Sequence, residues 1–585
     1  METTLDAVTV TAGALPVQLR NATRSVEVVT ARELRESAAS SVDDALRRLS
    51  GAWTQRRGAH GTQTDLSLRG GTFGQTLVLL DGMRFGDPQT GHHALQLPLP
   101  LAAIDRIEVL PGHGSALLGA DALGGAVNIV PAAGGPPRMH AALEGGSFGL
   151  RHAALNASWG GEGIPSRTAV DYRASDGWRM GTDFDHLSVS HLSRLESAAG
   201  RLSLIAAYAD KDFGAFDFYS PGRGIPSRER VRVGFAALGF RRGLGRAELQ
   251  TSVFVRDLRD RFHFDTRIPD RFINEHHTQL AGGRAQVIAV VREDLTLSAG
   301  LEANADRIRS SNLGDHARQW LSLSAATSWH AARWMEADAG LRLDVHDSHR
   351  PQLNPTVGLL FRLGEQWSAR TSVGRSFRLP TYTDLYYSDP ATRGNADLRP
   401  ESAWSGEAGL RWQPLPVLGM TVTAFRRDQR DLIDYVQQNP GEMFIAMNFS
   451  SAMIDGLESS VEWKAASSGW LERAGLSVQL LSTELDTRSA YRTRYALSAP
   501  SRLLRAVLAG TLPGRFRWHG TVIAADQQVA RDYVTVDFVL RRNIGSISLY
   551  IAADNLSNSA IEEFPGLPLH GRWLRAGVEV GLGAE

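Results

Sequence analysis

Residues 66–93 read LSLRGGTFGQTLVLLDGMRFGDPQTGHH, and residues 104–130 read IDRIEVLPGHGSALLGADALGGAVNIV. The apolar runs Gln75–Leu80, Ile104–Leu110 and Ala126–Val130 are short and broken by glycine. Val, Ile and Leu in runs of this length predict buried strands rather than helices. The glycines predict tight turns and close backbone approach, where a side chain would clash. Working upstream, Val26–Val29 has strand composition, and Thr30-Ala31-Arg32-Glu33 fits a capping box ahead of a short helix starting at Leu34. Ser41 opens a second helix through Leu49, with Gly51 placed as its C-terminal cap. Residues 21–137 therefore read as a small α+β unit that ends at the punctuation Gly134-Gly135-Pro136-Pro137.

Downstream the period changes to two. Ala247, Leu249, Thr251, Val253 and Val255 share a face, with Glu248, Gln250 and Ser252 opposite. Leu457, Val461 and Trp463 oppose Glu458, Glu462 and Lys464; Val534, Val536, Phe538 and Leu540 oppose Thr535, Asp537 and Arg541. Leu574, Ala576, Val578, Val580 and Leu582 oppose Arg575 and Glu579. Such strands carry one apolar and one polar face. A soluble sandwich alternates too, but about 450 residues of alternation without evident linkers exceed one sandwich. A closed barrel with apolar residues outward accounts for the whole tract. At roughly 20 residues per strand and connection, residues 138–585 predict about 22 antiparallel transmembrane strands, a size class whose lumen is plugged. The N-terminal unit is the plug.

Composition agrees. The 585 residues balance 63 basic against 63 acidic side chains, which argues against a nucleic-acid partner. Cysteine is absent, so disulfides, thiolate metal sites and cysteine nucleophiles are excluded. No stretch approaches about 18 consecutive apolar residues, which excludes a membrane-crossing helix but not a β-barrel. Met1-Glu2-Thr3-Thr4 has neither the basic start nor the apolar core of a signal peptide, which leaves a protein that stays in the cytoplasm or a mature form with an added methionine, and the barrel reading favours the second.

The chain resembles TonB-dependent outer-membrane receptors over nearly its full length. Within the N-terminal segment 1–20, Leu5, Asp6, Ala7, Val8, Thr9, Val10 and Thr11 resemble the TonB box; on pattern alone they read first as a frayed strand or an edge strand. Leu68-Arg69-Gly70, Leu79-Leu80-Asp81-Gly82, Ile104–Val109 and Ser115–Ile129 resemble the plug signature. In the barrel, Ser376–Pro380, Gly394–Glu401 and Asp554-Asn555-Leu556 are similar to family boxes. The chain departs by ending Gly-Leu-Gly-Ala-Glu585 instead of on an aromatic residue, and a transcription-signalling extension is not expected ahead of the box. Asp81–His93 resembles the plug loop of the cobalamin-receptor group. The resemblance implies a monomeric outer-membrane importer, surrounded by lipid and driven by TonB and its inner-membrane energising complex. Its cargo would be cobalamin or another corrinoid, with a ferric siderophore or haem as the alternative. A passive or adhesive barrel with a structural stopper is the rival from another class.

Candidate ligand contacts follow from the apical position that the resemblance gives this loop: Phe73, Phe85, Asp87, Gln89, Thr90, His92 and His93, joined by Arg57 from the loop around Ala59–Thr64. Phe73 and Phe85 would supply apolar contact, and the histidines would touch the cargo or ligate haem iron or corrin cobalt. Arg69, Arg106 and Glu108 are expected to form ion pairs between plug and wall. Neither cofactor nor catalytic residue is expected. Gly145-Gly146-Ser147-Phe148-Gly149 fits a serine-hydrolase pattern, but the following residues read as strand where a nucleophile elbow needs helix. Gly112-His113-Gly114 reads as a turn, and the adjacent His276 and His277 lack the four-residue spacing of a metalloprotease pair. Asp176, Asp183 and Asp185 would suit structural calcium in an outer loop, yet their spacing reads first as a solvated turn.

Overall fold

In the computed structural model, residues 8–9, 17–160, 163–486, 492–495 and 499–583 are described. The alternating tract forms a closed barrel of 22 antiparallel strands, from Arg138–Gly146 to Trp573–Gly583. Closure is made by these two strands pairing with each other, Ala141 lying opposite Val580. A closed sheet leaves no edge, so the backbone groups of the wall are satisfied inside hydrocarbon. No helix among the described residues is long and apolar enough to cross a membrane.

The two faces of the strands separate as the alternation predicts. Leu457 is 40% exposed beside Glu458 at 6%, and Leu574 is 50% exposed beside Arg575 at 4%. The apolar face therefore points away from the lumen. Short turns such as Leu244 to Ala247 lie at one end of the barrel, and long connections such as Arg378 to Glu401 lie at the other. Trp159, Trp334, Trp367 and Trp470 are exposed toward the short-turn end, with Trp367 stacked on Trp412 at 5.2 Å. Amphipathic indoles at one rim of an apolar band match a membrane interface.

The lumen holds the N-terminal unit. Its five-stranded sheet runs Glu27–Thr30, Ile104–Pro111, Gly125–Pro131, Thr76–Leu80, Met83–Arg84, with Thr76–Leu80 parallel to Gly125–Pro131. Asp81 and Gly82 both have positive φ, 51° and 77°, as a two-residue hairpin between Leu80 and Met83 requires. Gly125 is obligatory: at φ 145°, a Cβ would lie 2.4 Å from the Leu110 carbonyl oxygen and 2.6 Å from Leu68 Cδ1.

Thr30 caps Ala31–Glu36 as a capping box with Glu33. The second helix is shorter than its pattern suggests and covers Val42–Leu46 instead of reaching Leu49. Beyond it the backbone tightens to three-residue hydrogen bonds, Leu49 N–H to the Leu46 carbonyl, while wall residue Arg505 donates to the carbonyls of Arg47 (2.6 Å) and Ser50 (3.0 Å). A side chain from the wall satisfies the carbonyls that a longer helix would have used.

Of the expected plug–wall pairs, Arg69 forms two. It meets Glu407 at 2.6 Å and Glu458 at 2.7 Å, from two wall strands. Arg106 and Glu108 instead pair with each other inside the plug at 2.9 Å, and Glu108 also accepts from Asn128 at 3.1 Å. Glu108 lies in the strand Ile104–Pro111, between its neighbours Glu27–Thr30 and Gly125–Pro131, and is wholly buried. A second pair ties plug to barrel: Arg56 meets Glu563, in the connection between Asp554 and Trp573, through a fork of hydrogen bonds of 2.6–3.1 Å.

Candidate functional site

The segment from Phe85 to His93 sits at the long-loop end of the plug. Its position is set by backbone bonds: the Pro88 and Gln89 carbonyls accept from the N–H groups of Tyr382 (2.9 Å) and Thr383 (2.8 Å), which open a short helix in the connection after Arg378. Asp87 holds the segment's shape. Its carboxylate accepts from the N–H groups of Gln89, Thr90, Gly91 and His93 at 2.9–3.3 Å. A carboxylate turned onto its own backbone organises a tight loop.

His92 stands at the centre of an aromatic cluster. It stacks on Phe73 at 4.1 Å and lies 6.1 Å from both Tyr219 and Tyr495, ring centre to ring centre. Its Nδ1 is 2.6 Å from Asp65. Burial alone would raise the Asp65 carboxyl, but His92 and Arg57 outweigh it and hold it below its ordinary value. Arg57 donates to Asp65 (3.3 Å) and to the Phe218 carbonyl (2.6 Å), and it lies over the rings of Phe564 (4.1 Å) and Tyr219 (5.2 Å). Phe218, Tyr219, Tyr495 and Phe564 come from connections at the long-loop end, so these loops fold down over the apex.

The structure thus brings Arg57, Phe73 and His92 together but separates them from others expected beside them. Phe85 is fully buried, packed against Phe235 at 5.8 Å and beneath the guanidinium of Arg256 at 4.9 Å, so it presents no surface to a ligand in this state. Gln89 is buried, donating to Asp260 at 2.9 Å and accepting from Thr278 at 3.3 Å. His93 points to the wall, away from His92, with Nε2 3.4 Å from Asp260 and 3.6 Å from Glu229. Burial would lower the His93 imidazole, but the hydrogen bond to Asp260 and the charges of Asp260, Asp87 and Glu229 prevail and raise it to about 9. Thr90 and Phe73 are half-buried.

Two wall features were not legible in the sequence. Arg256 is fully buried against the plug, and its three guanidinium nitrogens have no hydrogen-bond partner among the described residues; the Asp87 carboxylate is 3.9 Å away. A concavity of about 800 Å³ lies at the long-loop end of the wall. It is lined by Arg230, Arg232, Arg259 and Arg261 among others, and Arg259 and Arg261 share the outward face of the exposed Val253 and Val255. The period-two arginines were a readable sign of one charged face, though not of which side of the wall it occupies. Between the apex loop and the wall, a cavity of about 50 Å³ touches Phe73, Asp87 and Pro88. That is room for a few waters at most. Cargo the size of a corrinoid would have to lift the loops.

The other motifs resolve into structure. Gly145 and Gly146 end the strand Arg138–Gly146, and a turn at Ser147–Gly149 leads directly into Leu150–Trp159; Ser147 Oγ accepts from the Leu574 N–H at 3.0 Å. The hairpin is no nucleophile elbow. Asp176, Asp183 and Asp185 are engaged by three different partners, Arg151 (2.8 Å), Arg228 (2.9 Å) and Tyr172 (2.7 Å). In the expected TonB box, Val8–Thr9 pairs antiparallel with Val17–Gln18; Leu5, Asp6, Ala7, Val10 and Thr11 lie outside the described residues.

Comparison with known proteins places this architecture. A family model described as TonB-dependent receptor-like β-barrel matches residues 131–556, and one described as TonB-dependent receptor plug domain matches residues 18–126. The vitamin B12 transporter BtuB of Vibrio vulnificus is 25% identical over 496 residues, 78% of this chain and 75% of that protein. The BtuB of Photobacterium profundum is 26% identical over 484 residues, 78% of this chain and 76% of that protein. The siderophore receptor PirA from Acinetobacter baumannii superposes with a TM-score of 0.78 at 15% identity, over 95% of this chain and 98% of that one, a likeness of fold. Family members are transporters and receptors rather than enzymes. With its closed 22-stranded wall and lumenal plug, the chain belongs to the TonB-dependent receptor family of outer-membrane β-barrels.

Proposed function

We propose that this protein actively imports a large, scarce nutrient across the outer membrane, and that the nutrient is cobalamin or a related corrinoid. The observation that carries active import is the plug itself. It fills the lumen and is tied to the barrel by buried charge pairs, Arg69 to the wall and Arg56 to a long-loop connection. Breaking such pairs is strongly unfavourable, so cargo passes only when work is done on the plug. TonB supplies that work by pairing with residues 5–11 through strand addition. A ligand favours exposure of that segment only if it binds the exposed state more tightly. At the apex, cargo displaces the lid over His92 and Phe73 and takes the place of Tyr219 and Tyr495 against them. The corrinoid assignment is supported by the names of the sequence relatives and by the likeness of Asp81–His93 to the cobalamin-receptor plug loop.

Two measurements test the reading. Purified protein titrated with cyanocobalamin, cobinamide, haem and ferric siderophores should bind a corrinoid at micromolar ligand or below. Failure with both corrinoids and binding of an iron chelate or haem would reassign the cargo. Uptake in cells should vanish on deletion of residues 5–11. Uptake that survives would show a passive barrel.

A further inference from the structure

We propose that His93, Glu229 and Asp260 form a binding site for a divalent transition cation of the zinc type, which staples the plug apex to the barrel wall. Among the described residues, these three form a group whose ligand atoms all lie within 4.8 Å of one another. They come from three separate elements: the plug segment, the wall strand Arg228–Leu244 and the wall strand Ala247–His263. All are buried, His93 and Glu229 to 1% exposure and Asp260 to 5%.

The distances suit a shared ion better than direct contact. A charge-assisted N–H to carboxylate hydrogen bond spans about 2.7–2.9 Å. His93 Nε2 stands 3.4 Å from Asp260 and 3.6 Å from Glu229. A tetrahedral ion with bonds of about 2.0–2.1 Å holds neighbouring ligand atoms about 3.3–3.4 Å apart. Hydrogen bonding is also incomplete on both carboxylates. Among the described residues, Glu229 Oε2 and Asp260 Oδ1 are buried without partners. Unmade bonds at two adjacent buried carboxylates are unfavourable unless something else satisfies them. Two carboxylates flanking one imidazole supply the hard and borderline donors that zinc accepts.

His276 lies directly across the ladder from Asp260 with its Nδ1 held by Ser310 Oγ at 2.8 Å, and it stands outside the three-residue group, so it would complete the set only by turning toward it. Gln89, donating to Asp260 at 2.9 Å, orients that carboxylate from outside the ligand set. Two ligands sit on the wall and one on the plug, so a bound ion would resist any motion that carries the apex inward. The inference does not depend on which nutrient is carried.

The test uses the full-length protein in detergent, stripped with chelator and titrated with ZnCl2, with CaCl2 as the comparison. Bound metal is measured by calorimetry and by elemental analysis after gel filtration. We expect one zinc per chain at micromolar affinity or better and little calcium binding. His93→Gln, Glu229→Gln and Asp260→Asn should each weaken zinc binding at least tenfold, and zinc should raise the Tm of the unsubstituted protein alone. Barrel folding is checked by heat-modifiable gel migration. Should the plug variant fail that check, the two wall variants carry the test. No zinc bound, zinc bound equally by the variants, or a preference for calcium would each overturn the proposal. The first of these outcomes would mean that a shared proton holds the two carboxylates together.

Discussion

Two contacts between plug and wall are built on opposite principles. At Arg69, a guanidinium on a residue held at φ 49° reaches two carboxylates on different wall strands and lies over the ring of Phe425 at 4.4 Å. At the apex, Arg256 is just as buried, yet among the described residues its nitrogens have no hydrogen-bond partner. The first contact has its charges matched and its donors used. The second keeps buried charge in a state that another arrangement of the apex would improve. A plug that must seal and then move needs both: one junction whose rupture is hard, and one whose rearrangement lowers the energy.

The largest expected effect comes from removing the matched cation. Arg69→Met takes from Glu407 and Glu458 the cation they hydrogen-bond and leaves only Arg370 near them, and plug docking should weaken by about 3 kcal/mol. Limited proteolysis of the plug within the folded barrel would read this. Unchanged protection would mean that the pairs do not hold the plug.

Next comes acid sensitivity near the same junction. Burial first and Arg24 second, with Arg69 adding and Glu407 opposing, depress His113 from its usual 6.5 to about 3. Above pH 6.5 the group is neutral in both folded and unfolded states. Below it the unfolded chain takes up a proton that the folded protein refuses, so stability falls as pH drops from 6.5 toward 3. The slope for one such proton is about 1.4 kcal/mol per pH unit. His113→Gln should flatten this part of a Tm-versus-pH profile; an unaltered slope would assign acid loss to other groups.

A smaller effect concerns the cargo. His92→Ala should weaken nutrient binding about tenfold, roughly 1.4 kcal/mol, with the barrel still folded. Unchanged affinity would remove the aromatic cluster from the binding site.

The smallest effect completes the comparison. Arg256→Met removes a charge that makes no hydrogen bonds and keeps most of its volume, so stability should change by less than about 1.5 kcal/mol. A loss as large as that of Arg69→Met would erase the distinction between the two junctions.

Local pattern carried much of the architecture. Thr30 and Glu33 form their capping box because they are three residues apart, and Asp81-Gly82 turns the chain where the sequence shows a break. The outward face of Val253 and Val255 follows from a period of two. The site was legible only in part. Arg57, Phe73 and His92 do meet, but Phe85 and His93 face the wall, because a loop's side chains turn by its tertiary bonds and not by a repeating period. Tyr219 and Tyr495 gave no sign beyond being aromatic residues in connections.

By itself, the sequence determined a plugged barrel, since short-range spacing sets strand, turn and cap, and since alternation over hundreds of residues has one economical closure. Only the tertiary structure decided which charges meet. Arg56 finds Glu563 across 507 positions and Arg69 finds Glu458 across 389, separations at which no local pattern speaks. Those pairings depend on which wall strand or connection faces which flank of the plug, a matter of packing a folded domain inside a closed sheet. The same packing leaves Arg256 and His93 buried with bonds unmade, and that incompleteness, invisible in any stretch of the chain, is what sets the apex apart from the Arg69 junction.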